Sequence, residues 1–463
     1  MNLPLTLLIV YSVALVAIGL WIARLVHGSG DFFVAGRHLT APLLFATVLA
    51  ANIGAGTTIG AAGVAYRDGI SAWWWSGSAA IGSLFLAFIV GPRIWRIAAD
   101  ANLYTVGDYL ELRYGSLVRA IVASLIWLGT LSILAGQLIG GAAILSVVGG
   151  VPRTFGTIIS AVVMTIYFVA GGLLSSAWVN AVQLVVLVIG FSLAVPFALA
   201  HAGGLQAFAA TAAVPETFTS VFYSGGARSG WTFLILFGPA FIISPGLLQK
   251  AYGAASSRAV RVGIGAQAVA LALFAFLPVL IGMSARVAHP GMTDLNLVLP
   301  TAMLEQLPTA LGALALAAVY SAEVSTCDAI LFMLATSLSE DLYKRFLHPA
   351  ATDRQLLTVA RLAAVGGGIG GVLLALQLPS IIAALGIFYT LLGVSLFMPV
   401  LGGLFLPRAS SAAAIASILA GIAACLAALF VRHAPYWWLD AGVVGLTAAA
   451  VAFLVALIAA PSR

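Results

Sequence analysis

Glu323, Ser325, Thr326 and Asp328 stand within one short stretch, Ala322-Glu323-Val324-Ser325-Thr326-Cys327-Asp328, in the middle of an apolar run from about Pro308 to Ser337. Carboxyls and hydroxyls are costly at such depth in hydrocarbon and are kept there for a function. At about 100° per residue, Ala322, Ser325, Thr326 and Ala329 share one helix face. Two adjacent hydroxyl oxygens on that face can help hold a small hard cation such as Na⁺, which takes oxygen ligands. The ordinary alternative is that both hydroxyls bond back to carbonyls of their own helix. The stretch by itself leaves both readings open. Glu323 lies about opposite Asp328 around the helix. It either faces a solute path, where an isolated carboxyl could carry a proton, or pairs with a polar neighbour.

Composition says what kind of chain positions these residues. Of 463 residues, 62% are hydrophobic and 7% charged, against about 25% charged in soluble domains. The apolar runs are continuous and about 20 residues long, the length of a membrane helix and not of a barrel strand. The chain reads as one all-α polytopic membrane domain, residues 1–463. The 49 glycines suit close helix packing and helix breaks. The net charge of +6 is spread without a basic stripe, so no nucleic-acid partner is expected. Cys327 and Cys425 lie inside apolar runs, and the histidines (27, 38, 201, 289, 348, 433) fall at run ends or in loops. Neither a disulfide framework nor a histidine metal centre is expected.

Thirteen runs are predicted to span: 4–26, 41–66, 70–95, 118–147, 153–172, 174–200, 230–250, 259–285, 308–337, 355–377, 379–407, 410–432 and 436–460. The first lacks a basic leader and a cleavage site and reads as a retained span. With the N-terminus outside and the C-terminus inside, 15 of the 20 Lys and Arg residues fall inside: 24, 37, 93, 96, 113, 119, 250, 258, 261, 344, 345, 354, 361, 408 and 463. The other five are Arg67, Arg153, Arg228, Arg286 and Arg432. This is the asymmetry of the positive-inside rule. No Lys or Arg is placed in a span core.

Two spans carry breaks. Ala50-Ala51-Asn52-Ile53-Gly54-Ala55-Gly56-Thr57-Thr58 weakens the second, and Pro239 and Pro245 interrupt the seventh. Irregular backbone at membrane depth survives where protein or a watery cavity satisfies it. Interrupted helices at matching places in two halves point to a transporter site. Their five-span separation predicts two inverted repeats, 41–200 and 230–407. One extra helix precedes them and two, in 410–460, follow.

Several motifs, taken together, resemble those of the sodium:solute symporter family. They are Asp31-Phe-Phe-Val-Ala-Gly-Arg37, Thr105-Val-Gly-Asp-Tyr-Leu-Glu-Leu-Arg-Tyr-Gly115, Pro245-Gly-Leu-Leu-Gln-Lys250 with Ala254-Ala-Ser-Ser-Arg-Ala-Val-Arg261, and Ser325-Thr-Cys-Asp-Ala329 followed by Asp341-Leu-Tyr-Lys344. The resemblance implies a leucine-transporter-like fold and Na⁺-coupled symport of a small organic solute. It implies a Na⁺ site made by the carbonyls of Ala50, Ile53 and Ala322 with the hydroxyls of Ser325 and Thr326. One departure matters: many relatives of this kind have Asp in the sixth span where this chain has Asn180. This puts a second Na⁺ site served by that Asp in doubt, and two readings of Asp328 stay open: a substitute cation or proton site with Ser325 and Asn180, or a protonated or hydrogen-bonded carboxyl that only holds helices together; Glu323 is a further candidate.

The solute is expected near the bilayer midplane, beside Asn52, Gly54, Thr57, Trp73, Ser76, Gln137 and Phe237. An interhelical hydrogen bond is the plain alternative for Gln137. An interfacial belt accounts for at least two of Trp73, Trp74 and Trp75. With no cation in a span core, an anionic solute would lean on half-helix N-termini or the bound ion. A neutral or amine-bearing solute fits equally. Proton coupling through Glu323 or Asp328 is the alternative on the same fold, and a non-transporting solute sensor is the alternative of another class. An intramembrane enzyme is not expected, because neither Ser nor Cys has a His partner and Glu323 and Asp328 face apart. The expected location is the plasma membrane, with lipid and a small solute as partners.

Overall fold

The structure, a computed structural model, describes residues 3–22, 37–170, 173–210, 216–222, 230–430 and 439–459. The Asp31–Gly36 part of the first motif, together with Arg24, His27, Arg228, Arg432, His433 and Arg463, lies outside the described residues.

Helix accounts for most of the described part of each predicted run. The helices are α1 (Leu3–Ile22), α2 (Ala41–Asn52), α3 (Ala61–Asp68), α4 (Trp73–Phe85), α5 (Gly91–Asp100), α6 (Val106–Tyr114), α7 (Ser116–Gly149), α8 (Arg153–Ala170) and α9 (Leu173–His201). The second half has α10 (Thr232–Ile242), α11 (Pro245–Tyr252), α12 (Ser257–Phe274), α13 (Phe276–Ala288), α14 (Val298–Glu305), α15 (Thr309–Thr336), α16 (Asp353–Gln377) and α17 (Ile381–Phe405), then α18 (Ser411–Leu429) and α19 (Ala441–Ala459). By length and apolarity, ten helical runs among the described residues can cross a membrane. This count is lower than thirteen for identifiable reasons. The second predicted span is broken, and its second part runs on through helical turns into the third, Gly56–Asp100, which leaves Ala41–Asn52 as a short apolar helix; the first and fifth predicted runs are helical as Leu3–Ile22 and Arg153–Ala170.

Local chemistry sets the helix ends. The hydroxyl of Thr105 accepts from the Asp108 amide in a capping box that starts α6, and Thr352 with Gln355 does the same for α16. Pro42, Pro92 and Pro245 sit in first turns, where a missing N–H costs nothing.

α15 is the most enclosed span: 83% of its apolar window is buried, against 28–39% for the helices Ser411–Leu429, Ala441–Ala459 and Asp353–Gln377. It packs against α1, α2, α7, α8, α9 and α16. That enclosure lets one helix hold two carboxyls and several hydroxyls away from lipid.

Arginines tie the ends of different helices together. Arg37 donates to the carbonyls of Tyr252, Ala98 and Leu103, Arg93 stacks on Phe405, and Arg113 donates to the carbonyls of Gly403, Leu406 and Pro407. Arg153 instead donates to Ala375 and Leu378, and Arg286 stacks on Tyr66.

Two positions depart from the sequence reading, which kept Lys and Arg out of the cores. Lys250 is 2% exposed and Arg119 is 6% exposed. Both begin near a run's end, but α11 and the start of α7 are covered by neighbouring elements. The positive charges are therefore inside protein and not at a lipid headgroup. Arg119 is held by Asp108 at 2.8 Å, Glu111 at 2.8 Å and Asp341 at 2.9 Å, which ties α6 to the π-helical continuation of α15, Ser337–Leu347.

Candidate functional site

The break after α2 is built from its sequence. Ile53 leaves the helix at φ −103°, ψ 92°, and its amide makes the last regular bond, to Leu49, at 3.0 Å. Two threonines then claim the freed groups. Thr57 Oγ1 accepts from the Gly54 amide at 3.0 Å and donates toward the carbonyl of Asn52 at 3.0 Å, while Thr58 Oγ1 donates to the Gly54 carbonyl at 2.8 Å. The Ala55 amide donates to Gln137 Oε1 at 2.8 Å. The helix resumes through a π-turn, Gly56–Gly60.

The carbonyls of Ala50 and Ile53 turn instead toward α15. Ser325 Oγ lies 3.2 Å from Ala50 O and 2.9 Å from Ala322 O. Thr326 Oγ1 lies 3.2 Å from Ala50 O and 3.1 Å from Ile53 O. Each hydroxyl has one proton and two carbonyls within reach, so one carbonyl contact per hydroxyl is left without a proton. Five oxygens with neither nitrogen nor sulfur among them fit a hard monovalent cation. Both hydroxyls also touch a carbonyl of the facing helix, which goes beyond bonding back to their own. Gly54 is required by this approach: a Cβ there would lie 2.5 Å from Thr326 Oγ1 and 2.6 Å from Gln137 Oε1.

A cavity of about 540 Å³, counted to its mouth, opens beside the cage. Its lining includes Asn52, Gly54, Thr57 and Gln137, four of the seven residues expected at the solute. Among the described residues the Nδ2 of Asn52 is buried there without a hydrogen-bond partner. The other three expected residues lie outside the lining. Trp73 donates its indole N–H to Ala272 O at 2.9 Å and stacks on Phe276. Ser76 is buried, with no partner for its hydroxyl among the described residues. Phe237 stands one layer back, 5.1 Å from Trp75 and 5.5 Å from Tyr389 between ring centres. Phe241, Phe388 and Tyr389 form the aromatic wall in its place. Nothing in an apolar run distinguishes a lining aromatic from a packing one, so the sequence could not select these.

Lys250 also lines the cavity, and its ammonium donates to Thr47 Oγ1 at 2.7 Å. Asp328, 3% exposed, acts on it electrostatically. This charge pair was missed because Lys250 sits at the edge of its apolar run. Asn180 is fully buried on α9, which packs against both α2 and α15. Glu323 is fully buried on the other side of α15.

With this geometry, the chain can be set beside known proteins. It is 26% identical over 468 residues to a sodium/glucose cotransporter of Vibrio parahaemolyticus, covering 92% of this chain and 84% of the relative. It is 28% identical over 426 residues to the sodium/pantothenate symporter of Escherichia coli (strain K12), covering 87% and 85%. Its fold is similar to that of a Na⁺-coupled sialic acid symporter in a substrate-bound outward-open state, with a TM-score of 0.84 at 19% identity over 100% of this chain and 99% of the other. It is also similar to MHP1, a nucleobase-cation-symport-1 family transporter, at 0.63 and 15% identity over 92% and 93%. The model of the sodium:solute symporter family matches residues 32–421, a range that contains both halves of the oxygen cage. The chain therefore belongs to the sodium:solute symporter family, multi-pass membrane transporters that are not enzymes and use Na⁺ as the coupling ion.

Proposed function

We propose that this chain carries a small polar organic solute across the plasma membrane together with Na⁺, by alternating access. The observation that carries the reading is the meeting of Ser325 and Thr326 with the carbonyls of Ala50 and Ile53. An ion held by the carbonyls of Ala50, Ile53 and Ala322 and by the two hydroxyls joins α2 to α15. It stabilises whichever state brings the two helices together, and the broken turn it fixes also lines the solute cavity. Ion and solute then raise each other's affinity by the same factor. Rocking of the α2-containing bundle against the α15-containing scaffold would expose both ligands inside.

The N-terminus is placed outside and the C-terminus inside, with thirteen spans and inverted repeats at 41–200 and 230–407. In that orientation Trp75, Phe233 and Phe237 close the outer end of the cavity, while Lys250 and Met333 mark its inner end. The orphan Nδ2 of Asn52 and the Gln137 amide favour a solute rich in hydrogen-bond acceptors, and the aromatic wall of Phe241, Phe388 and Tyr389 favours one with an apolar face. The relatives' named solutes, glucose, pantothenate and sialic acid, share the first property. Lys250 is already faced by Asp328, so the site does not demand an anionic solute.

The cation or proton reading of Asp328 takes a modified form. Consecutive spans alternate in direction, so α9 and α15 run antiparallel. Gly190 packs on Ala318, with a built Cβ 2.7 Å from that of Ala318. Ten residues on, along each helix, Asn180 and Asp328 come to the same level. There Lys250 supplies the resident positive charge, and an ion at Asp328 would compete with it.

The test is uptake into liposomes holding the purified protein, with a panel of labelled sugars, amino acids and carboxylic acids under an imposed Na⁺ gradient. Uptake that needs the gradient and needs far more Na⁺ in Thr326→Ala supports the reading. Counterflow that proceeds without Na⁺ and depends on pH would assign the coupling to protons instead.

A further inference from the structure

The mechanism above leaves one buried carboxyl unused. Glu323 is fully buried in the middle of α15, and among the described residues neither of its oxygens has a hydrogen-bond partner. A carboxylate in that state is costly unless something positive meets it. Ser160, on α8, is also fully buried, and its Oγ is likewise without a partner.

These orphan oxygens flank the same pair of glycines on α7. A Cβ built on Gly141 would lie 2.4 Å from Ser160 Oγ and 3.4 Å from Glu323 Oε2. A Cβ on Gly140 would lie 2.7 Å from Glu323 Oε1 and 2.7 Å from the Cβ of Ala55. The glycines therefore provide the room that the three oxygens occupy, and the carboxyl abuts the break that carries the first ion site. The other polar groups on this side of α15 are committed or weak donors. Tyr320 hydrogen-bonds Ser12, the Tyr11 hydroxyl donates to Ser321 at 2.6 Å, and Cys327 is a buried thiol. Among the described residues no Lys or Arg pairs with Glu323.

We propose that Glu323 and Ser160 form a second Na⁺ site on the face of α15 one turn from Thr326, turned away from Ser325. Its ligands are hard oxygens only, two from a carboxylate and one from a hydroxyl, the set that suits a small monovalent cation. Because Ala55 separates the two sites, an ion at Glu323 presses on the same turn whose carbonyls hold the first ion. Occupancy of one site then favours the other. The inference rests on the Na⁺-coupled reading and adds a second ion to it.

The experiment is equilibrium binding of ²²Na⁺ to the purified full-length protein. The wild type is expected to hold about two ions per chain, and Glu323→Gln, which keeps the shape and removes the charge, about one. The ion left in Glu323→Gln should vanish when Thr326→Ala is added. Ser160→Ala should weaken one of the two sites by about tenfold or more, since even groups that only support a bound ion cost roughly that much. Elution as a single symmetric species checks that each variant is folded, and if Glu323→Gln fails to fold, Ser160→Ala alone decides. Unchanged binding in the folded variants overturns the proposal. So does a wild type that holds one ion, lost in Thr326→Ala, and that result leaves the symport reading standing. A wild type that binds no Na⁺ overturns both.

Discussion

Thr326 Oγ1 lies 3.1 Å from the carbonyl oxygen of Ile53, a residue 273 positions earlier in the chain. One helix has to be open for that contact to exist, and the other has to present a hydroxyl at the level of the opening. Removing the hydroxyl should therefore act on the ion first. Thr326→Ala is expected to raise the Na⁺ concentration for half-maximal uptake by about tenfold or more, and Thr326→Ser to stay within about threefold of wild type. Initial uptake rates against Na⁺ concentration check this; equal curves for the alanine and serine variants would exclude the hydroxyl as a ligand.

Gly54 is predicted to admit no side chain. The Cβ of Gly54→Ala would meet Thr326 Oγ1 at 2.5 Å and push it from the cage. Na⁺ affinity should fall about as far as in Thr326→Ala, and the double variant should be no worse than either single one. Additive losses would mean that the two residues act separately.

Lys250 and Asp328 should depend on each other. Lys250→Met leaves a buried carboxylate facing no cation and should cost about 3 kcal/mol or more of stability. Adding Asp328→Asn should recover much of that loss. Thermal unfolding of the purified single and double variants reads the coupling, and a double variant as unstable as the sum of the two would deny it.

Acid should loosen the contact of α6 with Ser337–Leu347, the continuation of α15. Burial pushes the Glu111 carboxyl up, but its bonds to Arg345 and Arg119 outweigh this and hold it below the usual carboxylate range. A carboxyl depressed in the folded protein stabilises it above the ordinary carboxylate pKa, and the contribution is lost as pH falls through the lowered value. The gap in melting temperature between wild type and Glu111→Gln should be present at neutral pH and close on acidification below about pH 4. A gap that stays constant with pH would assign Glu111 a packing role only.

Topology can be read with thiol reagents, since Cys327 and Cys425 are both buried. Gly291→Cys should react with an impermeant maleimide on intact cells, and Ala351→Cys only after permeabilisation, because α15 lies between them. Labelling of both from the same side would overturn the proposed orientation.

The residue types of this chain determined a good deal by themselves. Uninterrupted apolar runs require helices, because no other open structure satisfies its backbone in hydrocarbon. Glycine and threonine located the break after α2, and Pro245 the one before α11, since their backbone effects are local; Pro239, expected to interrupt the same span, instead stays inside α10. The face shared by Ala322, Ser325 and Thr326 followed from helical periodicity alone. Contact across hundreds of residues did not. Only the folded chain shows that Lys250 is enclosed and faces Asp328, that Phe241 and Tyr389 rather than Phe237 line the cavity, and that Ser160 comes to the same glycine as Glu323. Burial of a charge, and the partner that makes it tolerable, depend on which helices pack around it, and one run of sequence carries no record of its neighbours.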